Sequence, residues 1–576
     1  MHQGNVVVVG GGLAGLMATV RLAEENFHVD LLSFLPVRRS HSVCAQGGIN
    51  AAMNTRGEGD SPWVHFDDTI YGGDFLANQT PVKEMCEAAP GIIHLFDRMG
   101  VMFNRTPEGR LEFRRFGGTR HHRTAHAGAT TGQQLLYALD EQTRRFEAAG
   151  LVDVHDGWEY LSAALEDGRC RGAVAVELVS GQVRAFPADA VLLATGGPGL
   201  IFGRSTNSQA NTGAAAASAY VQGADYANGE FIQVHPTAIP GEDKLRLMSE
   251  SVRGEGGRVW VPRDGKPWYF LEEKYPAYGN LVPRDIATRE IFDVCVNRGF
   301  GVDGKLQVYL DVTHLPRSFL ERKLGGVLEI YRKFTGEDPA DVPMRVFPAV
   351  HYSMGGLWVD YGQMTSIPGL FAAGECEYQY HGANRLGANS LLSCIYGGQV
   401  AARSAIEWAL RAATAAKAGC LDAEVKRQEA LLETLRKRTG GENAYRLHEE
   451  LGELMTSNVT VVRHNDRLDG TLERLEELKE RCGRIGASDT GGRMNQSLYF
   501  TRQLGLMLEL AHVMALGARL RDESRGAHYK PAFPARDDAR FLRTTRATYT
   551  PDGPRVTWEA VDTAFLAPRP RKYDES

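Results

Sequence analysis

Asn5-Val6-Val7-Val8-Val9 runs directly into Gly10-Gly11-Gly12-Leu13-Ala14-Gly15, and this junction limits what the chain can fold into more than any other stretch. A continuous β-branched run reads as a buried parallel strand. The glycines at 10, 12 and 15 form G-x-G-x-x-G; Leu13, Leu16, Met17 and Val20 then fall on one helical face, and Val29–Ser33 reads as a second strand. Alone the glycine pattern says little. Inside a strand–turn–helix–strand unit it is a dinucleotide fingerprint: the first glycine permits the tight turn, the second brings backbone against a pyrophosphate, and the helix N-terminus offers its N–H groups to the phosphates. One position departs from the pattern. Where an acidic side chain usually takes the ribose hydroxyls, this chain has Ser33, a weaker partner. The nucleotide then needs other contacts, or a covalent bond.

With 576 residues the chain exceeds a single hydrophobic core, so two to four domains are expected. A net charge of -6 with no basic tract argues against nucleic acid as a partner. The eight cysteines are scattered with no C-x-x-C pair, which argues against zinc, an iron–sulfur cluster or a redox disulfide in this chain and fits a reducing compartment. No metal site is expected. No signal peptide is read, because the first strand starts almost at once. The longest apolar stretch, Leu504–Ala518, carries Glu509 and His512 and is too short to span a bilayer, so any membrane attachment falls to a partner.

Two more strand-and-glycine signatures lie far downstream: Ala190–Gly197, which ends in Ala194-Thr195-Gly196-Gly197, and Gly369–Gly374, followed by Glu375. With the N-terminal unit they resemble the FAD-binding pattern of two-dinucleotide-type flavoproteins. No second G-x-G-x-x-G marks a nicotinamide domain. The expected fold class is α/β: a Rossmann-like FAD-binding domain split between residues 1–240 and 350–415, with an inserted α+β capping domain at 241–349. An insertion joined at two hinges can act as a lid that excludes water. Charged, Leu-rich amphipathic segments at Leu421–Arg438, Glu442–Ser457, Leu468–Arg484 and Gln503–Arg521 predict a helical domain at 416–540, with breaks at Gly440-Gly441 and Asp469-Gly470. The remainder, 541–576, reads as an extended tail packing on a partner.

Polar residues that could carry chemistry cluster at four places. Arg39-Ser40-His41-Ser42 with Gln46-Gly47-Gly48 follows the dinucleotide unit, which puts His41 where the reactive ring of a bound cofactor lies. His235-Pro236-Thr237, Ser249-Glu250 with Arg253, Arg284-Asp285 and His351 mark the insertion and its hinges. Arg385 and Ser390-Leu391 follow Glu375; Ser390 is expected to cap a helix whose positive end faces the flavin. His121, His122 and His126 also cluster and read as structural or near the flavin edge, with no carboxylate beside them.

Together R-S-H-S, A-Q-G-G, H-P-T, S-E-x-x-R-G-E-G-G, P-R-D, H-Y-S-M-G-G, A-A-G-E and G-A-N-R-L-G-A-N-S-L resemble the flavoprotein subunit of succinate dehydrogenase and fumarate reductase over essentially the whole chain. Ala388-Asn389-Ser390 and the Ser33 strand end resemble the branch with a dihaem cytochrome b anchor. The resemblance implies FAD attached through His41, and a cofactor site drawn from Gly10, Gly12, Leu13, Ala14, Gly15, Ser33, Ser40, Ser42, Gln46, Gly47, Gly48, Thr195, Gly196, Glu375, Ser390 and Leu391. It implies a dicarboxylate, succinate or fumarate, held by His235, Ser249, His351 and Arg385, with Gln46 and Gly47 beside it, and Arg284 moving the proton. It also implies an iron–sulfur subunit and a cytochrome b anchor as partners, and a peripheral place on the cytoplasmic face of the membrane. Two positions depart from the family pattern: Ser249 replaces the usual threonine and keeps the hydroxyl, while Ala214 replaces an aspartate that contacts the flavin.

Succinate oxidation removes a hydride from one carbon and a proton from its neighbour, and a guanidinium is a surprising proton acceptor. It can act as a relay if a carboxylate and a second arginine are bonded to it. Glu250 and Arg253, one helical turn apart, are the expected remainder of an Arg284–Glu250–Arg253 relay. The competing readings are an L-aspartate oxidase-like flavoprotein, which lacks the flavin-linking histidine, and a non-catalytic flavin-binding or assembly protein. Covalent attachment at His41 separates the first pair: the chain should carry a fluorescent flavin band on a denaturing gel, lost in His41→Ala, and a dark wild-type band would favour the oxidase-like reading.

Overall fold

A computed structural model of the chain describes residues 2–241, 245–411 and 418–573. The expected boundary at 415/416 lies outside the described residues.

The valine strand sits in the middle of a five-stranded parallel sheet. Its order is Leu370–Ala372, Ala190–Leu193, Asn5–Val9, His28–Ser33 and Val152–Asp156. Alternation of side chains sends the strand to two different cores. Val6 and Val8 join Leu13, Leu16 and Met17 of the dinucleotide helix, together with the long helix Asn389–Arg411. Val7 and Val9 join a second core with Tyr160, Ala217, Leu451 and Leu504. That second core includes the inner faces of helices Ala444–Asn458, Asn465–Cys482 and Gln496–Leu520. The C-terminal helices are therefore a layer against the sheet. The distant signatures at 190–197 and 369–375 are the two strands stacked in succession beside Asn5–Val9.

A separate core marks the cap. Val259, Val261, Val308, Leu310, Leu324 and Val346 belong to one cluster under the helix Arg317–Thr335. Its antiparallel sheet runs Arg246–Leu247, Ile232–Ile239, Met344–Ser353, Val308–Asp311, Arg258–Arg263, Lys266–Trp268. The two long strands Ile232–Ile239 and Met344–Ser353 pair antiparallel and carry the chain into and out of the cap, so both hinges lie in one ladder.

Three expectations need correction. Gly470 does not break a helix: Asn465–Cys482 runs through it, because Leu468, Thr471, Leu475 and Leu478 hold one buried stripe across the glycine. The tail does not wait for a partner. Arg543–Thr548 and Arg555–Ala560 form a hairpin on Tyr226–Ala227, and the described residues beyond it pack on this chain, with Tyr573 buried. Ser390 is not a cap; the helix starts at Asn389 after Ala388 turns at φ 64°, which places Ser390 inside the first turn. No helix among the described residues is long and apolar enough to cross a membrane. The apolar stretch at 504–518 is the core-facing part of Gln496–Leu520.

Gly470 is exposed and a Cβ there would meet nothing within 4 Å. Gly470→Ala should raise unfolding stability by about 0.5–1 kcal/mol, read as a higher midpoint in denaturant, whereas a true helix break would give no gain.

Candidate active site

The dinucleotide turn opens a cleft of about 180 Å³, walled by Gly10, Gly11, Gly12, Leu13, Ala14, Ser40, His41, Ser42, Thr195, Gly196 and Glu375. Its glycines are steric requirements. A Cβ on Gly10 (φ 115°) would lie 2.2 Å from the Ala194 carbonyl oxygen, and one on Gly15 would lie 1.9 Å from the Gly10 oxygen. Helix Leu13–Glu24 has no side-chain cap of its own; the Leu13 N–H reaches Ser42 Oγ at 3.3 Å. Ser40 Oγ and Thr195 Oγ1 are buried without a hydrogen-bond partner. An uncapped helix N-terminus, a backbone-lined cradle and orphaned buried hydroxyls fit a bound dinucleotide. Ser33 lines the cleft, but its hydroxyl donates to the Leu35 carbonyl at 2.5 Å, so only its oxygen lone pairs face outward. Ala214 also lines the cleft, and its N–H is taken by Thr212 Oγ1 at 3.2 Å. Ser390 and Leu391 form no part of this wall; Cys394 of the same helix does.

His41 occupies a short 3-10 turn, His41–Cys44, and borders the cleft. The following turn is held from behind. Buried Arg114 donates to the Gly47 carbonyl at 2.9 Å and reaches the Gln46 and Gly128 carbonyls at 3.3 and 3.2 Å. Gln46 Nε2 donates to the Leu247 carbonyl at 3.2 Å, which leaves its buried Oε1 without a partner. Gly48 holds φ 139° against Ala125 and Thr124.

The two hinge histidines sit at bulges on neighbouring strands. Pairing passes from Gln233↔Tyr352 to Val234↔Val350 and skips His351; a second shift lies between His235 and Ala238, where Pro236 cannot donate. The bulges re-aim both rings, whose centroids are 5.1 Å apart. The Thr237 N–H donates to His235 Nδ1 at 3.2 Å, which places the ring proton on Nε2. That Nε2 is buried and has no protein partner. Burial first, then Arg284, holds His235 well below the usual histidine range; burial, Arg284 and Arg385 do the same for His351. Both rings are neutral. His351 Nδ1 bonds Thr206 Oγ1 at 2.6 Å.

Glu250 lies beneath them. Its Oε2 accepts from Arg284 Nε and Nη2 at 2.9 and 2.7 Å; its Oε1 accepts from Arg253 Nη2 at 2.8 Å and from the Gly117 N–H at 3.1 Å. Burial would push this carboxyl up, but Arg284 and Arg253 outweigh it and hold it below the ordinary value. Arg284 Nη1 also donates to Gln233 Oε1 at 2.9 Å, and Gln233 Nε2 donates to Asn384 Oδ1 and to the Arg385 carbonyl at 3.0 and 2.8 Å. Arg385 lies over the Tyr352 ring at 4.4 Å with its Nε unpartnered, and burial and Arg284 press it down to about 9. Ser249 Oγ accepts from the Ser251 N–H and hydroxyl at 3.2 and 2.8 Å, which leaves its own proton to donate. Glu375 accepts from the Ser353 N–H at 3.0 Å, and burial pushes it up to about 7.

The structure thus links Glu250, Arg253, Arg284 and, through Gln233, Arg385 in one buried network, with the paired rings of His235 and His351 close to Arg284 and with Ser249 directly before Glu250. Sequence reading missed Gln233, Asn384, Arg114 and Gly117. Gln233 stands two residues before His235 on the same strand face, which is the one signal that could have found it. The histidines at 121 and 122 do have acids: Glu58 Oε1 bonds His122 Nδ1 at 2.7 Å, and Asp60 lies 3.9 Å from His121. Both acids come from a distant loop, so no local pattern marked them.

Residues 5–391 match the FAD binding domain family and residues 448–573 the fumarate reductase flavoprotein C-terminal family. The chain is 64% identical over 581 residues to the succinate dehydrogenase flavoprotein subunit of Bacillus subtilis, covering 100% of this chain and 99% of that one. It is 35% identical to the fumarate reductase flavoprotein subunit of a Serratia species, over 99% of this chain and 96% of the relative. A solved flavoprotein chain of E. coli quinol fumarate reductase superposes with a TM-score of 0.94 at 33% identity, covering 100% of this chain and 99% of that chain. The full-length similarity joins a chain whose cleft suits a dinucleotide to these proteins, and the chain belongs to the FAD-dependent succinate dehydrogenase/fumarate reductase flavoprotein family.

Proposed function

We propose that this chain interconverts succinate and fumarate in a quinone-linked membrane complex, with His41 as the covalent attachment point of FAD and Arg284 as the group that moves the proton. The observation that carries the reading is the charge balance of the pocket. Arg253, Arg284 and Arg385 surround one ionised glutamate, Glu250, with both histidines neutral, so the buried network is two positive charges in excess. A dicarboxylate supplies two negative charges.

FAD, when bound, supplies the hydride acceptor. Binding and proton handling fall to the chain. Arg385 offers a guanidinium to one carboxylate. The His235 Nε2–H and the Ser249 hydroxyl, both protein-unpartnered donors, suit the other. Arg284 is bound on one edge by Glu250 and Gln233, which fixes its remaining N–H groups toward the pocket. Arg284, already a full guanidinium, takes the substrate proton only as it gives one of its own to Glu250 Oε2, and Glu250 shares that proton with Arg253, which is anchored by its Nη1 donating to the Asn280 carbonyl at 2.7 Å. The Asn280 side chain in turn donates to Glu272, which pairs with Arg258 at the half-exposed rim, so the Arg253 end of the relay is fixed in place. Burial of the network excludes water and keeps each bond strong.

The family resemblance also points to an iron–sulfur subunit and a cytochrome b anchor that take electrons from this chain. The anchor would hold the chain at the cytoplasmic face of the membrane. Rates of succinate oxidation and fumarate reduction by the purified complex set the working direction.

Arg284→Ala should lower both directions by about 10³-fold while the covalent flavin stays in place; intact succinate–dye reduction in that variant would remove Arg284 from the mechanism. A Cβ at Gly117 would stand 2.3 Å from Glu250 Oε1. Gly117→Ala should therefore displace the carboxylate and lower kcat about 10²-fold, with an unchanged flavin band as the control.

A further inference from the structure

Asp285 follows Arg284 directly at the start of helix Arg284–Phe292, and its carboxylate is fully buried. It is met from the far end of the chain. Arg571 Nη1 donates to Asp285 Oδ2 at 2.8 Å and Nη2 to Oδ1 at 3.2 Å, a two-pronged contact across 286 residues. Arg289, one turn on, reaches the same carboxylate at 3.3 Å. Arg571 also stands 3.5 Å from Asp74, whose carboxylate takes Arg536 Nη1 at 2.7 Å and the Gly526 N–H at 2.9 Å. Burial would raise the Asp74 carboxyl; Arg571, Arg525 and Arg536 outweigh it and hold it low. Arg571 itself is held well above its ordinary value by Asp285, Tyr573 and Asp74 against the cost of burial.

The neighbouring tail residues repeat the pattern. Arg569 pairs with Asp67 at 2.6 Å. The Tyr71 hydroxyl donates to the Lys572 carbonyl at 3.2 Å. The Tyr573 ring lies between Tyr71 (5.5 Å) and Tyr278 (5.1 Å). Asp67, Tyr71 and Asp74 belong to the helix Pro62–Gly72 and the turn after it, on the cofactor side; Asp285 and Tyr278 belong to the cap. The tail therefore touches both bodies at once, and on the cap side it grips the residue adjoining Arg284.

We propose that Arg571 is a positioning residue for the reaction: with Tyr573 it latches the cap to the cofactor side and, through Asp285, fixes the first turn of the helix that carries Arg284. This rests on the reading of Arg284 as the proton carrier. Consecutive helical residues point about 100° apart, so Asp285 can be held by the tail while Arg284 faces Glu250. Loss of Arg571 leaves the buried Asp285 carboxylate with Arg289 alone, and the first turn shifts to find solvent or a new cation. A displacement of about 1 Å at a reacting group costs on the order of 10²-fold in rate.

The test uses the assembled complex. Arg571→Gln should lower kcat at least about tenfold with KM for succinate changed less than about twofold, and should raise the deuterium isotope effect with perdeuterated succinate as chemistry becomes slower than product release. Amide hydrogen exchange over residues 284–292 should accelerate, and Arg571→Lys should recover most of both losses. Asp285→Asn, combined with Arg571→Gln, should cost no more than either change alone, because both cut one contact. If Arg571→Gln does not accumulate, Asp285→Asn reads the same contact from the cap side with the same readouts. Normal kcat and exchange in either variant would overturn the latch, and so would a loss of kcat with an unchanged isotope effect. An active Arg284→Ala enzyme would instead remove the proton-carrier reading, and the exchange measurement would then decide the latch alone.

Discussion

One carboxylate, Glu250, fixes the arrangement on which the pocket depends. Its side chain and that of Arg253 are 0% exposed, and it accepts from two arginines and a backbone N–H. Removing one member of such a buried group leaves an uncompensated charge, at a cost of about 3–5 kcal/mol. The surrounding backbone is shaped to admit it. Gly117 and Gly387 approach the two carboxylate oxygens so closely that a Cβ on either would stand within 2.8 Å. These glycines come from separate segments on the cofactor side, whereas Glu250, Arg253 and Arg284 come from the cap. The carboxylate is therefore the seat on which the cap rests, and under the proposed function it is a relay element as well.

The histidines show how a sequence detail becomes a chemical one. Pro236 withholds a backbone donor, the ladder slips, and the Thr237 N–H turns back onto His235 Nδ1. That single bond selects the tautomer and leaves Nε2–H as a donor pointing into an otherwise cationic pocket. Neutral rings suit this place. Two further buried cations would bring the net charge to four, beyond that of a dicarboxylate, and would bind substrate and product alike without favouring the reacting geometry.

Much of the fold was legible because it rests on local signals. The valine run and its glycines defined the central strand, and the two downstream strand–glycine pairs proved to be its successive neighbours in the sheet. The site was legible where residue type and motif coincide, as at Glu250, Arg284 and the two histidines. What was not legible arises across distance. Arg114 holds Gln46 and Gly47 from a strand with no motif, and Gln233, marked only by its place two residues before His235, joins Arg284 to Arg385 across the fold. Gly470 misled because a single glycine was weighed above the leucine stripe that continues through it. The tail misled because alternation says only that a segment is extended; its pairing with Tyr226–Ala227 and its charges for Asp67 and Asp285 depend on surfaces formed hundreds of residues earlier.

The interleaving of the parallel sheet has a consequence for how the protein is made. Its edge strand, Leu370–Ala372, and the Glu375 that follows complete a cleft whose first wall is laid down at Gly10. A chain emerging from the ribosome at about 5–20 residues per second shows its glycine turn long before it has the opposite wall. The cap, with its own core, can form while that wall is still missing, and the segment carrying Arg571 reaches Asp285 only later. Both walls of the cleft are on hand only once Glu375 has been made, and the contact that seats the cap at Asp285 comes later still.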